Sequence, residues 1–222
     1  MDRSSESALG VLAEGLRLYR GYFPAFFGPV ALIYLPYYLV LSLLRGLPVG
    51  VAVLWMGILG TLAQTLATAV VVWTTAQVRR GEPVGIEEAL GSISAGVMGR
   101  LLGALVPALA LTALGFLLLV VPGLLFLVWF AFAGQVAVLE GKTLWGALRR
   151  SRELVRGRGW RVLYLLVLFL SANLLLIALP GKLLPQFAAP VGQVLALLFL
   201  PFPLIVMTLL YLEAREGKWE GI

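Results

Sequence analysis

Six long apolar runs without a charged residue constrain this chain more than any other feature. Each run has roughly the 20 residues that a helix needs to cross a hydrocarbon core about 30 Å thick. No Asp, Glu, Lys or Arg interrupts any of them. The pattern predicts an all-α integral membrane protein with six transmembrane helices. The predicted spans lie at about 23–44, 51–78, 101–121, 124–139, 162–179 and 187–212, with Pro122-Gly123 between the third and the fourth.

The composition agrees with this class and lacks the side chains on which most catalytic mechanisms depend. Hydrophobic residues make up 61% of the chain and charged residues 13%, whereas soluble domains average about 45–50% and 25%. The chain has no His and no Cys, so the usual zinc, haem and thiol chemistries lack their side chains. The spans offer only hydroxyls and amides. We therefore expect no enzymatic activity, no cofactor and no metal site.

The distribution of cations predicts the orientation in the membrane. Fifteen of the 17 Lys and Arg residues lie on one side of the six spans, and only Arg45 and Lys182 lie on the other. Because Lys and Arg are retained on the cytoplasmic side, we expect a multi-pass protein of the cell (inner) membrane with both termini cytoplasmic. No long linker divides the chain, which indicates one domain over residues 1–222. The N-terminal region does not have the pattern of a cleaved signal peptide.

Short charged segments with helical apolar spacing precede the first, third and fifth spans. Such segments are typical of amphipathic helices that lie in the headgroup plane. A shift of 58 residues aligns Gln77-Val78 with Gln135-Val136. We therefore predict three parallel repeats of an interfacial helix and a transmembrane hairpin, at about 4–79, 80–140 and 141–222. The predicted apolar stripes are Leu9, Leu12, Leu16 and Tyr19; Ile86, Leu90, Ile93 and Val97; and Leu144, Leu148, Ser151 and Val155.

The segment 120–163 carries a set of short motifs. They are Pro122-Gly123, Glu140-Gly141, Ala147-Leu148, Arg150-Ser151 and Gly159-Trp160-Arg161. With them the segment resembles the family named after the membrane domain of glycerophosphoryl diester phosphodiesterases, which includes stand-alone membrane proteins. The resemblance implies a fold and a membrane location but no reaction. The named enzymes carry catalysis on a separate barrel that uses His, and this chain has neither His nor room for a barrel.

The third amphipathic segment is strongly basic. Two interpretations of its cations remain open: they serve only to fix the orientation, or they bind phosphate through bidentate guanidinium contacts. Each Lys or Arg near an anionic leaflet contributes about 1 kcal/mol. Nucleic acid is not an expected partner, because the cations alternate with the membrane-seeking Trp145 and Trp160. The candidates for lipid-headgroup binding are Arg149, Arg150, Arg152, Arg156 and Arg161.

Other motif residues are expected to have structural roles. Glu140 is the acidic residue nearest the membrane in the best-matched motif, and we expect it to form an interfacial ion pair or to cap the third amphipathic helix. A proton-coupling carboxylate would lie deeper, among polar partners. The positions grouped as structural are Pro122, Gly123, Glu140, Ser151 and Trp160.

A few residues within the spans allow either packing or a polar path. Gln64 near the middle of the second span and Asn173 in the fifth span either pair within the bundle or line a path for a polar headgroup. Pro201 and Pro203 bend the sixth helix and deprive the carbonyls of Leu197 and Phe199 of their backbone donors. A kink without a binding site is the simpler interpretation.

Two functions remain open at the level of sequence. The first is a non-enzymatic membrane module that engages anionic lipid headgroups or partner membrane proteins at the cytoplasmic leaflet, as a scaffold, regulator or lipid-handling subunit. The alternative is a small transporter or permease-like protein for a lipid or amphipathic substrate. A continuous cavity lined by Gln64, Asn173 and the Pro201 kink favours transport, whereas a tightly packed bundle favours the first function.

Overall fold

A computed structural model describes residues 8–82, 84–183 and 185–217. These residues form helices joined by short turns, and no strand occurs among them. Single 3-10 turns lie at Leu44–Gly46 and Pro185–Phe187. The α-helices are α1 (Ala8–Gly21), α2 (Phe23–Leu43), α3 (Val49–Arg79), α4 (Ile86–Gly91), α5 (Ala95–Leu118), α6 (Val120–Trp129), α7 (Ala133–Leu139), α8 (Leu144–Val155), α9 (Gly159–Leu183), α10 (Ala188–Phe199) and α11 (Pro201–Arg215).

Six stretches of helix are long and apolar enough to cross a membrane, which confirms the predicted number of spans. Two of the six stretches each comprise two helices, α6 with α7 and α10 with α11. The chain is thus an all-α, multi-pass membrane protein. The stretches are Phe23–Leu43, Val49–Arg79, Ala95–Leu118, Val120–Leu139, Gly159–Lys182 and Pro190–Arg215.

The boundary between the third and fourth spans differs from the prediction. The chain turns at Leu119, which has extended backbone angles (φ −160°, ψ 152°). Pro122 and Gly123 therefore lie in the first turn of α6 and not between the two spans. Proline is tolerated there because the first N–H groups of a helix have no partner within it.

Consecutive spans pack as helical hairpins, α2 with α3, α5 with α6, and α9 with α10. The hairpin of α5 and α6 depends on two glycines. A Cβ on Gly115 would lie 2.9 Å from Gly123 Cα, and a Cβ on Gly123 would overlap the ring of Phe116. The glycines thus allow the two backbones to approach closely next to the turn.

Two of the spans are interrupted. The sixth breaks at Leu200, immediately before Pro201, where the sequence predicts a bend. The fourth breaks at 130–132, between α6 and α7, and no proline marks this place. The interruption at 130–132 is not evident in the hydropathy pattern, because the sequence is apolar before, within and after it.

The buried core lies toward one end of the bundle, which we call the basic end. This end contains the C-termini of α3, α7 and α11 and the N-terminus of α9. In α3, burial begins at Ala63 and continues to Val78, and in α11 it extends from Ile205 to Glu213. Between 35 and 62, by contrast, no side chain that the structure describes is buried. The three hairpins thus pack against one another mainly at the basic end.

The first amphipathic segment packs differently from its predicted stripe. Leu9 and Leu16 are exposed, whereas Val11 is fully buried. Gly15 faces Val206 of α11 so closely that an added Cβ would lie 2.6 Å from its Cγ2. The buried face of α1 therefore centres on Val11 and Gly15, because contact with α11 selects small residues there.

The second segment is shorter than predicted. Helix α4 ends at Gly91, and Ser94 caps the N-terminus of α5 by accepting a hydrogen bond from the Val97 backbone N–H at 3.2 Å. Val97 therefore belongs to the transmembrane helix and not to the amphipathic one. The cap ends the stripe, because an N-cap residue has non-helical backbone angles.

The third segment forms a helix close to the predicted bounds. Of the predicted stripe, Leu148, Ser151 and Val155 are buried together with Ala147, while Leu144 is exposed. Gly157, with φ +84°, follows the helix and allows the chain to turn into α9.

Candidate functional site

Ser151 joins the amphipathic helix α8 to the interruption in the fourth span. Its hydroxyl donates a hydrogen bond to the Trp129 carbonyl at 2.7 Å and accepts one from the Phe132 N–H at 3.1 Å. Ser151 is fully buried. One side chain thus supplies partners for two backbone groups at the break between α6 and α7, and α8 is fixed against the bundle there.

Glu140 follows α7 and lies at the centre of a polar network at the basic end. Its carboxylate lies 3.1 Å from Lys142 Nζ and 3.2 Å from Arg150 Nε, and it accepts a hydrogen bond from the Tyr211 hydroxyl at 2.9 Å. Burial acts to raise the pKa of Glu140, but the hydrogen bonds from Lys142, Tyr211 and Arg150 outweigh it and hold the pKa below its ordinary value. The network ties α7, α8 and α11 together.

The remaining headgroup candidates have partners within the protein or project from it. Arg149 Nε lies 3.2 Å from Glu153, and the Arg152 guanidinium lies 4.0 Å from the centre of a Trp129 ring. Arg161 Nη2 lies 3.9 Å from Glu213. The structure therefore does not gather the five candidates into one site: Arg149, Arg150 and Arg152 follow α8, Arg156 is exposed at its end, and Arg161 lies on α9.

Trp160 does not pack into the bundle. Its side chain is 81% exposed, and that of Trp145 is 68% exposed. Both indoles lie on the surface near the basic end, where an aromatic ring with one polar edge suits a membrane–water interface.

A cleft of about 550 Å³ opens at the basic end between α3, α7 and α11. Three basic residues, Arg79, Arg80 and Arg215, line it together with one acidic residue, Glu216. Arg79 also donates to the Leu209 carbonyl at 3.4 Å, and this contact holds its side chain toward α11. The cleft is therefore cationic, and we call it the arginine cleft. Its apolar walls are Ala76, Leu139 and Leu212.

Sequence reasoning did not identify the arginine cleft. Arg79, Arg80 and Arg215 contributed only to the count of cations that predicts orientation. Arg215 lies 135 residues or more from the other two, so no local spacing relates them. The only available signal was that each lies within three residues of the apolar end of a predicted span.

A second cavity, of about 260 Å³, lies within the membrane-spanning region. It brings together three of the four residues proposed for a polar path, Gln64, Asn173 and Pro203. Pro201 is buried and is absent from the lining, although its neighbour Leu200 contributes to it. The Tyr34 hydroxyl donates to Gln64 Oε1 at 2.9 Å.

Neither metal chemistry nor similarity to known proteins defines the site further. Within the described ranges, no three His, Cys, Asp or Glu side chains are grouped so that they could hold a metal ion. No family model, curated protein or solved structure matches this chain.

Proposed function

We propose that this chain is a non-enzymatic module of the cell membrane that engages anionic lipid headgroups at the cytoplasmic leaflet. The observation that carries the proposal is the arginine cleft, which combines three guanidinium groups with apolar walls at the end of the bundle. In this proposal the basic end faces the cytoplasm, as the positive-inside rule requires. Both termini then lie on the cytoplasmic side.

The chemistry of the arginine cleft suits a phospholipid. Guanidinium groups bind phosphate oxygens in bidentate geometry, and apolar walls beside them accept the glycerol and upper acyl region. At about 1 kcal/mol for each cation near an anionic surface, and with Glu216 offsetting one of the three arginines, the cleft contributes roughly 2 kcal/mol. That energy is sufficient for a preference for anionic over zwitterionic lipid of about thirtyfold.

The amphipathic helices support the same proposal. Helix α8 carries exposed cations on one side and buries Ala147, Leu148 and Ser151 on the other, so it suits a position along the headgroup plane. In this proposal α1 and α8 begin parallel repeats, each followed by a hairpin. A relationship to the phosphodiesterase membrane-domain family remains part of the proposal and rests on the motifs of 120–163.

The experiment compares two variants with equal loss of charge. In the cleft variant, Arg79, Arg80 and Arg215 are each replaced by Gln. In the control variant, Arg149, Arg152 and Arg156 of α8 are each replaced by Gln, while Arg150 is kept because it pairs with Glu140. Both proteins are reconstituted in nanodiscs of phosphatidylcholine with a minor fraction of phosphatidylglycerol, and the lipids that remain bound after transfer to detergent are counted by native mass spectrometry.

We expect the cleft variant to lose at least tenfold in its preference for phosphatidylglycerol and the control variant to lose much less. Equal preference in the wild type and the cleft variant would contradict the proposal. A larger loss in the control variant would move the headgroup site to α8.

The second candidate function is transport of a lipid or an amphipathic substrate. The observation that favours it is the cavity of about 260 Å³ between the hairpins, which contains Gln64 and Asn173. Toward the basic end, however, α3 and α11 pack closely from Ile205 to Leu210. This packing supports a binding site within the membrane better than a passage through it.

A further inference from the structure

The cavity within the membrane is formed by helices from two hairpins. Tyr38 comes from α2, Gln64 from α3 and Asn173 from α9, and the rest of the wall comes from both sides of the break at Leu200. We propose that this cavity binds an uncharged lipid whose polar end carries hydroxyl and carbonyl oxygens, of the diacylglycerol class. This site lies apart from the arginine cleft and adds a second ligand to the proposed function.

The cavity offers hydrogen-bond donors that have no partner. The oxygen of the Gln64 amide accepts from Tyr34, but within the described part of the chain its nitrogen donates to nothing. The Asn173 carboxamide likewise makes no hydrogen bond to any residue that the structure describes. Hydrocarbon cannot satisfy such groups. A ligand with acceptor oxygens would therefore lower the energy of both side chains.

The break in the sixth span adds acceptors to the same wall. Pro201 and Pro203 have no backbone N–H, so the carbonyls of Leu197 and Phe199 lack their usual helical donors. Leu197 and Phe199 both line the cavity. A hydroxyl group, which donates and accepts at once, suits a wall with both kinds of group.

The depth of the cavity selects for an uncharged ligand. Gln64 precedes Arg79 by 15 residues and Asn173 follows Arg161 by 12 residues. At 1.5 Å per residue these intervals correspond to roughly 22 Å and 18 Å from the basic end. Both amides thus lie near the middle of their helices, well inside a hydrocarbon core about 30 Å thick. A charged headgroup is strongly disfavoured at that depth, and among the residues that the structure describes no charged side chain lines the cavity.

Aromatic rings shape the remaining wall. Phe169 meets the ring of Phe199 edge-on, with centroids 6.5 Å apart, and the ring of Phe202 at 5.9 Å. Phe169 and Phe199 line the cavity and give an apolar surface beside the amides, and Phe202 packs against both rings. An acyl chain would lie against this surface while the ester and hydroxyl oxygens reach Gln64 and Asn173.

The test uses a diacylglycerol that carries a diazirine and an alkyne in one acyl chain, in nanodiscs with the full chain. The labelled peptides are identified by mass spectrometry with and without excess unlabelled diacylglycerol. The test variant is Gln64→Leu with Asn173→Leu. Ser171→Ala is the matched control, because Ser171 is exposed on α9 and does not line the cavity.

We expect labelling of α9 and of the segment around Leu200 that unlabelled diacylglycerol displaces. The double variant should lose at least fivefold of this displaceable labelling, and Ser171→Ala should retain it. Labelling that the competitor does not displace, or equal labelling in all three proteins, would overturn the inference. Equal displacement by a long-chain alkane would do the same, since it would show that the amides do not contribute.

Two further measurements keep the result interpretable. Asn173→Leu alone serves if the double variant unfolds, and an intermediate loss of displaceable labelling is then expected. Retention of phosphatidylglycerol is measured on the same preparations and should not change in the variants of Gln64 and Asn173. Failure of the diacylglycerol site therefore remains distinguishable from failure of the arginine cleft.

Discussion

At the scale of single residues, side chains of the amphipathic helices bind backbone groups where the spans are interrupted. Ser151 of α8 bridges the break in the fourth span. The Tyr19 hydroxyl of α1 donates to the Leu198 carbonyl at 2.7 Å, just before the break in the sixth. Burial raises the pKa of Tyr19 to about 12, so this donor keeps its proton at neutral pH. Both contacts stabilise irregular backbone that hydrocarbon alone would not tolerate.

Ser151→Ala should destabilise the protein by about 1–3 kcal/mol, because it leaves the Trp129 carbonyl and the Phe132 N–H without their Ser151 partner at a buried site. Equilibrium unfolding by SDS in mixed micelles measures the change. Ser42→Ala is the control, since Ser42 is exposed and donates only to the Leu39 carbonyl of its own helix. We expect its effect to stay within about 0.5 kcal/mol, and similar effects of the two substitutions would argue against a bridging role for Ser151.

Glu140 should make stability depend on pH in the acid range. Its pKa is lower in the native state than in the unfolded state, so the unfolded state binds more protons. The carboxylate therefore stabilises the protein above its ordinary pKa of about 4.3, and this contribution disappears as the pH falls through the lowered native pKa.

The measurement is the free energy of unfolding of the wild type and of Glu140→Gln between pH 7 and pH 3. We expect the difference between the two proteins to be largest near pH 7 and to shrink below about pH 4. Glu87→Gln, at an exposed position in the first turn of α4, controls for the loss of one carboxylate. A difference that stays constant with pH would refute the role assigned to Glu140.

At the scale of elements, the hairpin of α5 and α6 shows how small residues determine packing in a membrane. Apolar surface gives no driving force for association in lipid, so close contact between backbones becomes important. Ala104 and Ala108 are buried along α5, followed by Thr112 and Gly115 near the turn. Gly123 then places α6 directly against this face.

Gly123→Val should destabilise the hairpin by 1 kcal/mol or more, with about 3 kcal/mol typical of strong overpacking, because the new side chain overlaps the Phe116 ring. Thermal unfolding in detergent measures this. Gly99→Ala is the control: its Cβ would meet no atom within 4 Å, and alanine favours a helix over glycine. We expect Gly99→Ala to be neutral or slightly stabilising, and tolerance of Gly123→Val would show that the hairpin opens more easily than its packing suggests.

At the scale of the whole molecule, the polar groups and the tightly packed core are concentrated at the same end of the bundle. The basic end contains the buried core, the Glu140 network and the arginine cleft. The opposite halves of the hairpins expose apolar side chains such as Leu43, Val49 and Leu117. A bundle of this kind presents its polar chemistry to one leaflet and is anchored by apolar surface in the other.

Single cysteines test the orientation directly, because the chain has none of its own. We expect cysteines at Arg80 and Lys142 to react with a membrane-impermeant maleimide only after the cells are opened. A cysteine at Gly46, in the turn between α2 and α3, should react in intact cells. Labelling of Arg80→Cys in intact cells would show that the orientation is the reverse of the predicted one.

The sequence alone determined the membrane class, the number of spans and the concentration of cations at one end. Hydropathy and charge are properties of consecutive residues, and the bilayer acts on them directly. The same local information predicted the break near Pro201, because proline cannot donate a backbone hydrogen bond wherever the rest of the chain lies.

Only the tertiary structure decided which of these residues meet. The break at 130–132 depends on Ser151, about 20 residues away, and the arginine cleft brings Arg79 and Arg80 to Arg215 from the other end of the chain. Gln64 and Asn173 lie in different hairpins and share a cavity whose wall includes residues on both sides of the break in the sixth span. Contacts between distant segments follow from packing, which a local pattern of hydropathy does not encode.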